Sequence, residues 1–282
     1  MMGLDQSVVG IAATPMEFEW TERDVLLYAV AVGAGAEEPT EELEFTTENT
    51  DGTSLVVLPT FANIITRVAR APMGDYDMTK LVHASQAMEL HRPIPTVGRA
   101  IVTPTVISMF DKGNSALVTN EQVAVDAETG EAIATTRQTV FIRGAGGFGG
   151  PRGGSESLPV PERAPDVERT VHVRPEQALI YRLTGDRNPL HSNPVFAQRG
   201  GFARPILHGM CTYGFTGRVL MREFGGSNPP GMTSMSARFT RPVAPPAELT
   251  VQMWSEPEGV RFRTLEHGEP VIDAGNATFV NA

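Results

Sequence analysis

Only one cysteine, Cys211, occurs in the 282 residues of the chain. No intrachain disulfide is possible, which fits a reducing compartment. No apolar run reaches the ~18–20 residues that a membrane span requires. The opening segment, MMGLDQSVVG, lacks the basic region and long apolar core of a secretory signal. The closing FVNA is not a peroxisomal address of the SKL type. A cytoplasmic location is therefore expected. Basic residues are the minority sign, 23 Lys and Arg against 33 Asp and Glu. The net charge of −10 argues against a nucleic-acid surface, but leaves room for a local basic pocket. No His, Cys or Asp cluster has metal-ligand spacing, so no metal is expected. The glycine-rich Gly146–Gly154 lacks the lysine–hydroxyl ending of a phosphate-binding loop, and no helical pattern follows it.

What is present is enough apolar sequence for a globular core, in one large domain or two of ordinary size. A Gly/Pro/Ser-rich stretch from Gly144 to Asp166 has no apolar periodicity and reads as a linker. It separates residues 1–143 from residues 167–282. The two parts look like diverged copies. ERDVLLYAVAVGA (Glu22 to Ala34) matches EQALIYRLTGDRN (Glu176 to Asn188), which aligns Tyr28 with Tyr181. LVHASQAMEL (Leu81 to Leu90) matches ILHGMCTYGF (Ile206 to Phe215), which aligns His83 with His208. Both parts end in strand-like segments rich in Val, Thr, Ile and Phe, broken by turns such as Asp111-Lys112-Gly113 and Glu258-Gly259. Each half thus reads as a short helix, a longer helix and an antiparallel sheet. In the second half, helices are expected over 176–184 and over 208–224, the latter ended by Gly225-Gly226. Gly214 and Gly217 would cost roughly 1 kcal/mol each relative to alanine inside that helix. Close packing against a sheet would account for them. The resulting class is α+β, a double hot-dog: two pseudo-repeats, each a long helix wrapped by an antiparallel sheet.

The chemistry concentrates in Tyr181 to Met210. Asp186 lies five residues before His191, with Asn188 and Pro189 between them and Pro194 just beyond. The prolines stiffen the loop, and rigid placement is what proton transfer requires. A carboxylate and an imidazole can hold one water between them; one takes its proton while the other serves the α-carbon of an activated carbonyl compound. His208-Gly209 would stand at the next helix start, where a free N–H and the positive helix end stabilise an oxyanion. Gly209 has no side chain to block a carbonyl. Taken singly, these residues also have plain readings: Asp186 as a turn former, Asn188-Pro189 as loop, His208 as a cap. Cys211 lies on a buried helix face without a matching base.

The string YRLTGDRNPLH (Tyr181 to His191) resembles the motif of the 2-enoyl-CoA hydratase 2 family, the MaoC-like hydratases. These include the hydratase part of peroxisomal multifunctional enzyme type 2 and the double hot-dog 3-hydroxyacyl-thioester dehydratases of actinobacteria. PILHGMCTYG (Pro205 to Gly214) and SARFTRPVAPPAEL (Ser236 to Leu249) resemble later blocks of that family. In the first half ERDVLLYAVAVGAG, VLPTF (Val57 to Phe61), VHASQAMELHRPIP, FDKGNSA and GGFGG do so too.

The resemblance implies interconversion of trans-2-enoyl-CoA and (3R)-3-hydroxyacyl-CoA by syn hydration. Asp186 and His191 match the catalytic dyad, Asn188 the asparagine that helps hold it, and Gly209 the glycine whose N–H receives the thioester oxygen. Ligand contacts are implied at His83, Ala84, Lys112 and Phe239; Ala84 replaces the usual glycine, and Pro246 alters a Pro-Val-x-Pro-Gly turn. No cofactor is implied, since coenzyme A is part of the substrate. An acyl-carrier-protein thioester is an alternative substrate form, and a homodimer is the expected assembly. The first half, lacking an Asp-x-Asn-Pro-x-His, is expected to give up catalysis and accommodate the acyl chain, with Gly33, Ala34 and Gly35 making room. Two rival functions share the fold: an acyl-CoA thioesterase and a non-catalytic acyl-CoA-binding protein.

Overall fold

The computed structural model describes residues 3–153, 159–226 and 231–280. Strands β1 (Met16–Trp20), β2 (Leu81–Leu90), β3 (Gly98–Asp111), β4 (Ser115–Asp126) and β5 (Ala132–Arg143) belong to the first half. Strands β6 (Val167–Val173), β7 (Met232–Phe239), β8 (Ala247–Glu256), β9 (Gly259–Glu266) and β10 (Glu269–Phe279) belong to the second. The helices are α1 (Glu22–Ala31), α2 (Leu43–Thr46), α3 (Ala62–Thr66), α4 (Gln177–Tyr181), α5 (Pro194–Arg199) and α6 (Gly209–Phe224). Among the described residues no helix is long and apolar enough to cross a membrane.

All ten strands join one antiparallel sheet in the order β1-β3-β4-β5-β2-β7-β10-β9-β8-β6. Replacing 1 to 5 by 6 to 10 turns one half of that order into the other, so the halves share a topology. The seam is β2 against β7, with Ser85 opposite Arg238 and Gln86 opposite Ala237. Strand β4 shows why the sheet forms. Ala116, Val118, Asn120, Gln122 and Ala124 are buried while their neighbours are less so, a strict period of two that puts one face against the core. This is the double hot-dog arrangement of α+β class.

Helix α6 is the central rod. Every residue from Cys211 to Met221 is buried. His208 is its N-cap and Gly225 its C-cap, in agreement with the expected span. The 176–184 segment is α4 followed by a 3-10 turn over Arg182–Thr184. The mid-helix glycines serve a different neighbour from the one expected. A Cβ on Gly214 would meet Val32 Cγ1 at 2.4 Å, and one on Gly217 would meet Thr60 Cγ2 at 2.5 Å. The nearest approach is therefore to the first half, at Val32, Tyr28 and Thr60, with Met235 of β7 at 3.3 Å from the Gly217 position. A salt bridge locks the same contact. Arg218 Nη1 lies 2.7 Å from Glu42 Oε2, the side chains being 5% and 10% exposed, and Arg218 Nε donates to the Val32 carbonyl.

Two expectations from the repeat are overturned. Leu81–Leu90 is a strand, so His83 is not the counterpart of His208. The first half's equivalent of α6 is the five-residue α3, entered through a 3-10 turn at Pro59–Phe61. Ala, Gln, Met, Glu and Leu favour a helix weakly, but pairing on both sides, to β5 and β7, overrides that preference. The space at Gly33 is also not free for an acyl chain: its φ is +86°, and a Cβ there would fall 2.3 Å from Phe215 Cε1. The small residue admits a ring of α6.

Of the expected linker, residues 154–158 lie outside the described residues. Residues 144–153 are strapped to the β3–β4 turn. The Asp111 carboxylate accepts hydrogen bonds from the N–H groups of Gly113, Gly147 and Gly149 at 2.9, 3.0 and 2.9 Å.

Candidate active site

The loop between α4 and α5 is organised by its own short-range hydrogen bonds. Gly185, at φ +117°, reverses the chain after the 3-10 turn. The Asp186 carboxylate accepts the Asn188 N–H at 3.2 Å. Asn188 in turn accepts the Leu190 N–H at 3.0 Å and caps the 3-10 turn Pro189–His191. Pro189 enters that turn at its first position, where no N–H is needed. Asn188 thus shapes the loop, holding Asp186 on one side and presenting His191 on the other.

His191 is buried, and its Nδ1 lies 2.9 Å from the Ile206 carbonyl oxygen. A carbonyl only accepts, so Nδ1 carries the hydrogen and Nε2 is left as the basic nitrogen. Burial pushes its pKa below the ordinary histidine value. His208 is 1% exposed and stacks on His191, ring centroids 3.7 Å apart at 28°. Its Nε2 donates to the backbone oxygen of Asp186 at 3.2 Å, while Nδ1 is buried without a partner. Burial, then the neighbouring His191, push its pKa down to about 3. Both rings are therefore neutral near pH 7. Burial pushes the Asp186 carboxyl up, but His208, the Asn188 N–H, Arg67 and His191 together outweigh it and hold the group below its ordinary value. The result is an ionised carboxylate beside a neutral imidazole.

Ligand-capable atoms of Asp186, His191 and His208 all lie within 4.8 Å of one another. The sequence offered no such cluster, because it is assembled from two segments joined only by the fold.

Gly209 is the first residue of α6, so its N–H has no intrahelical acceptor. The Phe239 ring lies over it, 3.3 Å from where a Cβ would stand. Phe239 ends β7 and also touches His83, the two rings being 4.5 Å apart. His83 sits at a β-bulge: it pairs with Val140, Ser85 pairs with Thr139, and Ala84 is the extra residue between them. Bulges commonly re-aim a side chain. Its Nε2 faces the Ser85 carbonyl and the Gln86 Oε1, each at 3.1 Å, and Gln86 is held by Asn63 at 2.7 Å. Burial pushes the His83 pKa down to about 4, and Asp186 is close enough to act against that shift. The fold therefore gathers Asp186, His191, Gly209, His83, Ala84 and Phe239 around the β2–β7 seam. Lys112 is placed elsewhere, in the β3–β4 turn, its Nζ held by the carbonyls of Arg152 and Gly153 at 2.5 and 3.2 Å.

One residue near the dyad had no signal in the sequence. Arg67, just past α3, donates from Nη2 to the Thr184 carbonyl at 2.7 Å. It belongs to no motif, and only the packing of one half on the other brings it there.

Two sheet halves of one topology around the buried helix α6 define a double hot-dog of the dehydratase and hydratase class. Residues 18–144 match the model of the MFE-2 hydratase 2 N-terminal domain, and residues 156–273 match the MaoC like domain. The chain is 44% identical to 3-hydroxyacyl-thioester dehydratase Y of Mycobacterium tuberculosis over 292 residues, covering 99% of each. It is 34% identical to the peroxisomal enoyl-CoA hydratase 2 of Arabidopsis thaliana, over 88% of this chain and 85% of that protein. Among solved structures, a MaoC-like dehydratase from Phytophthora capsici superposes with a TM-score of 0.87 at 27% identity, covering 98% of this chain and 97% of that one. The chain belongs to the MaoC-like dehydratase family, with a hydratase 2 N-terminal domain preceding its MaoC-like domain.

Proposed function

We propose that the chain catalyses the reversible hydration of trans-2-enoyl-CoA to (3R)-3-hydroxyacyl-CoA. The observation that carries this is the geometry of the pair: His191 commits Nδ1 to the Ile206 carbonyl at 2.9 Å, and the ligand-capable atoms of Asp186 and His191 lie within 4.8 Å of each other. An ionised Asp186 and a neutral His191 with its hydrogen committed to Ile206 are both acceptors. A water held between them directs its two hydrogens to the pair and a lone pair outward, toward the β-carbon of a bound enoyl thioester. Neither group has a proton to give at the outset. The proton returned to the α-carbon is therefore the one just taken from water, and hydroxyl and hydrogen arrive on one face. As the C–O bond forms, charge moves to the thioester oxygen, where the Gly209 N–H and the positive end of α6 receive it. Reversal of these steps is dehydration.

The acyl chain has a candidate path where α1 of the first half faces the Asp186 loop of the second. A groove of about 660 Å³ is floored by Leu26, Leu27 and Val30 of α1 and by Leu183, and is rimmed by Glu22, Arg23, Glu48 and Arg187. Leu183 and Arg187 lie on either side of Asp186 in the chain, and an apolar floor is what an acyl chain requires. The activities for which the relatives are named support a coenzyme A or related acyl thioester as substrate. The test measures loss of enoyl absorbance, free-thiol release and product chirality with a series of trans-2-enoyl-CoA chain lengths. Formation of the (3R) alcohol without thiol release is expected. Thiol release would indicate a thioesterase, and binding without turnover would indicate an acyl-CoA-binding protein; either overturns the reading.

A further inference from the structure

We propose that Arg67, supplied by the first half, is a positioning residue for the acid–imidazole pair of the second: it clamps the Thr184–Gly185 turn and sets a positive charge against the loop that carries Asp186. The inference rests on the hydratase reading only for its kinetic arm.

Three observations converge. First, the guanidinium bonds to the Thr184 carbonyl at 2.7 Å, across 117 residues of sequence. Second, it occupies the place where a side chain of residue 185 would go: a Cβ on Gly185 would fall 2.4 Å from Arg67 Nη2. The left-handed turn that launches Asp186 is therefore shaped around this cation. Third, Arg67 is the residue just beyond the last turn of α3. Its backbone is still right-handed helical, at φ −64° and ψ −19°, so the end of α3 fixes the direction in which the side chain leaves toward the other half's loop.

Several other titratable groups face Asp186. His191 comes from its own loop, His208 from the α6 cap, His83 from β2 and Tyr181 from α4. His83 and His208 are held neutral by burial, as is His191, and burial raises the Tyr181 hydroxyl far above neutrality. Arg187, the next residue in the chain, is exposed at the rim of the α1 groove. Among these groups only Arg67 carries a permanent charge in partly buried surroundings. At neutral pH the imidazoles are uncharged, and the Asn188 N–H and Arg67 are then the groups that favour the Asp186 carboxylate against its burial.

The test compares Arg67→Met and Arg67→Lys with the unaltered protein. The Asp186 carboxyl is titrated by NMR, its resonance assigned from Asp186→Asn, and kcat and KM are followed against pH. Arg67→Met is expected to move the Asp186 titration and the acidic limb of the rate profile to higher pH. It should lower kcat by about 10²-fold, as a misplaced acid–base group does, with little change in KM. Arg67→Lys should restore the titration, because it restores the charge. If the protein hydrates no enoyl thioester, the functional reading fails, and the carboxyl titration still decides this proposal. An Asp186 titration that stays put in Arg67→Met overturns it, whether or not kcat falls. So does an Arg67→Lys variant that titrates like Arg67→Met.

Discussion

Replacing Gly209 by proline isolates a single N–H. Position 209 is the first helical residue of α6, where the backbone hydrogen makes no intrahelical bond and proline is well tolerated. The preceding residue, His208, sits at φ −61° and ψ 132°, the extended region that a following proline demands. The helix should therefore survive. The steric cost is a Cβ placed 3.3 Å from Phe239 Cε1, a squeeze of a few tenths of an ångström on one ring. Gly209→Ala imposes that same squeeze and keeps the N–H. The ratio of the two variants then measures the hydrogen bond to the developing enolate oxygen. Loss of one oxyanion donor costs about 10²–10³ in kcat, roughly 2.7–4 kcal/mol. Gly209→Ala should retain most activity, and Gly209→Pro should fall by that further factor in steady-state hydration, with the circular dichroism of both unchanged. Equal kcat values for the two folded variants would refute the assignment of Gly209 N–H as the oxyanion donor.

Other predictions concern stability. Gly217→Ala should destabilise although alanine is the better helix former: the clash with Thr60 Cγ2 at 2.5 Å invokes an overpacking cost of about 1–3 kcal/mol against a propensity gain of about 1. Denaturant midpoints will show the sign. Arg218→Met strands Glu42 in the contact between halves and should cost about 3–5 kcal/mol, readable as a fall in Tm. Stability should also decline as the medium is acidified. The folded pKa values of His83 and His208, about 4 and about 3, lie below the ordinary 6.5, so the unfolded chain takes up protons first. Their contribution is complete above about pH 6.5 and is lost as pH falls toward those values, at about 1.4 kcal/mol per pH unit for each histidine. Urea unfolding at a series of pH values checks this; a flat profile between pH 6.5 and 5 would contradict it.

The second half of the molecule was more legible in the sequence than the first. Helix α6 announces itself by apolar spacing and a glycine stop, and the observed caps are His208 and Gly225. The loop carrying Asp186, Asn188 and His191 was readable because much of its order is local: the N–H groups of Asn188, Leu190 and His191 all bond within three residues. The first half misled where tertiary pairing decides. Leu81–Leu90 has helix-forming residues but lies between two strands, so it is a strand. Gly33 looked like room for substrate, yet it admits Phe215. The stacked His191–His208 pair and the Arg67 clamp were invisible for the same reason. Their partners lie 17 and 117 residues apart, and no local pattern records contacts of that range.

We propose Asp186 and His191 as the proton-transfer pair of an enoyl-thioester hydratase. The most direct test is crotonyl-CoA hydration by Asp186→Asn, which keeps the size and the Asn188 contact of the side chain but not its charge. The expected result is a loss of about 10²–10⁴-fold in kcat with the fold and Tm preserved. Near-normal turnover by that variant would contradict the account.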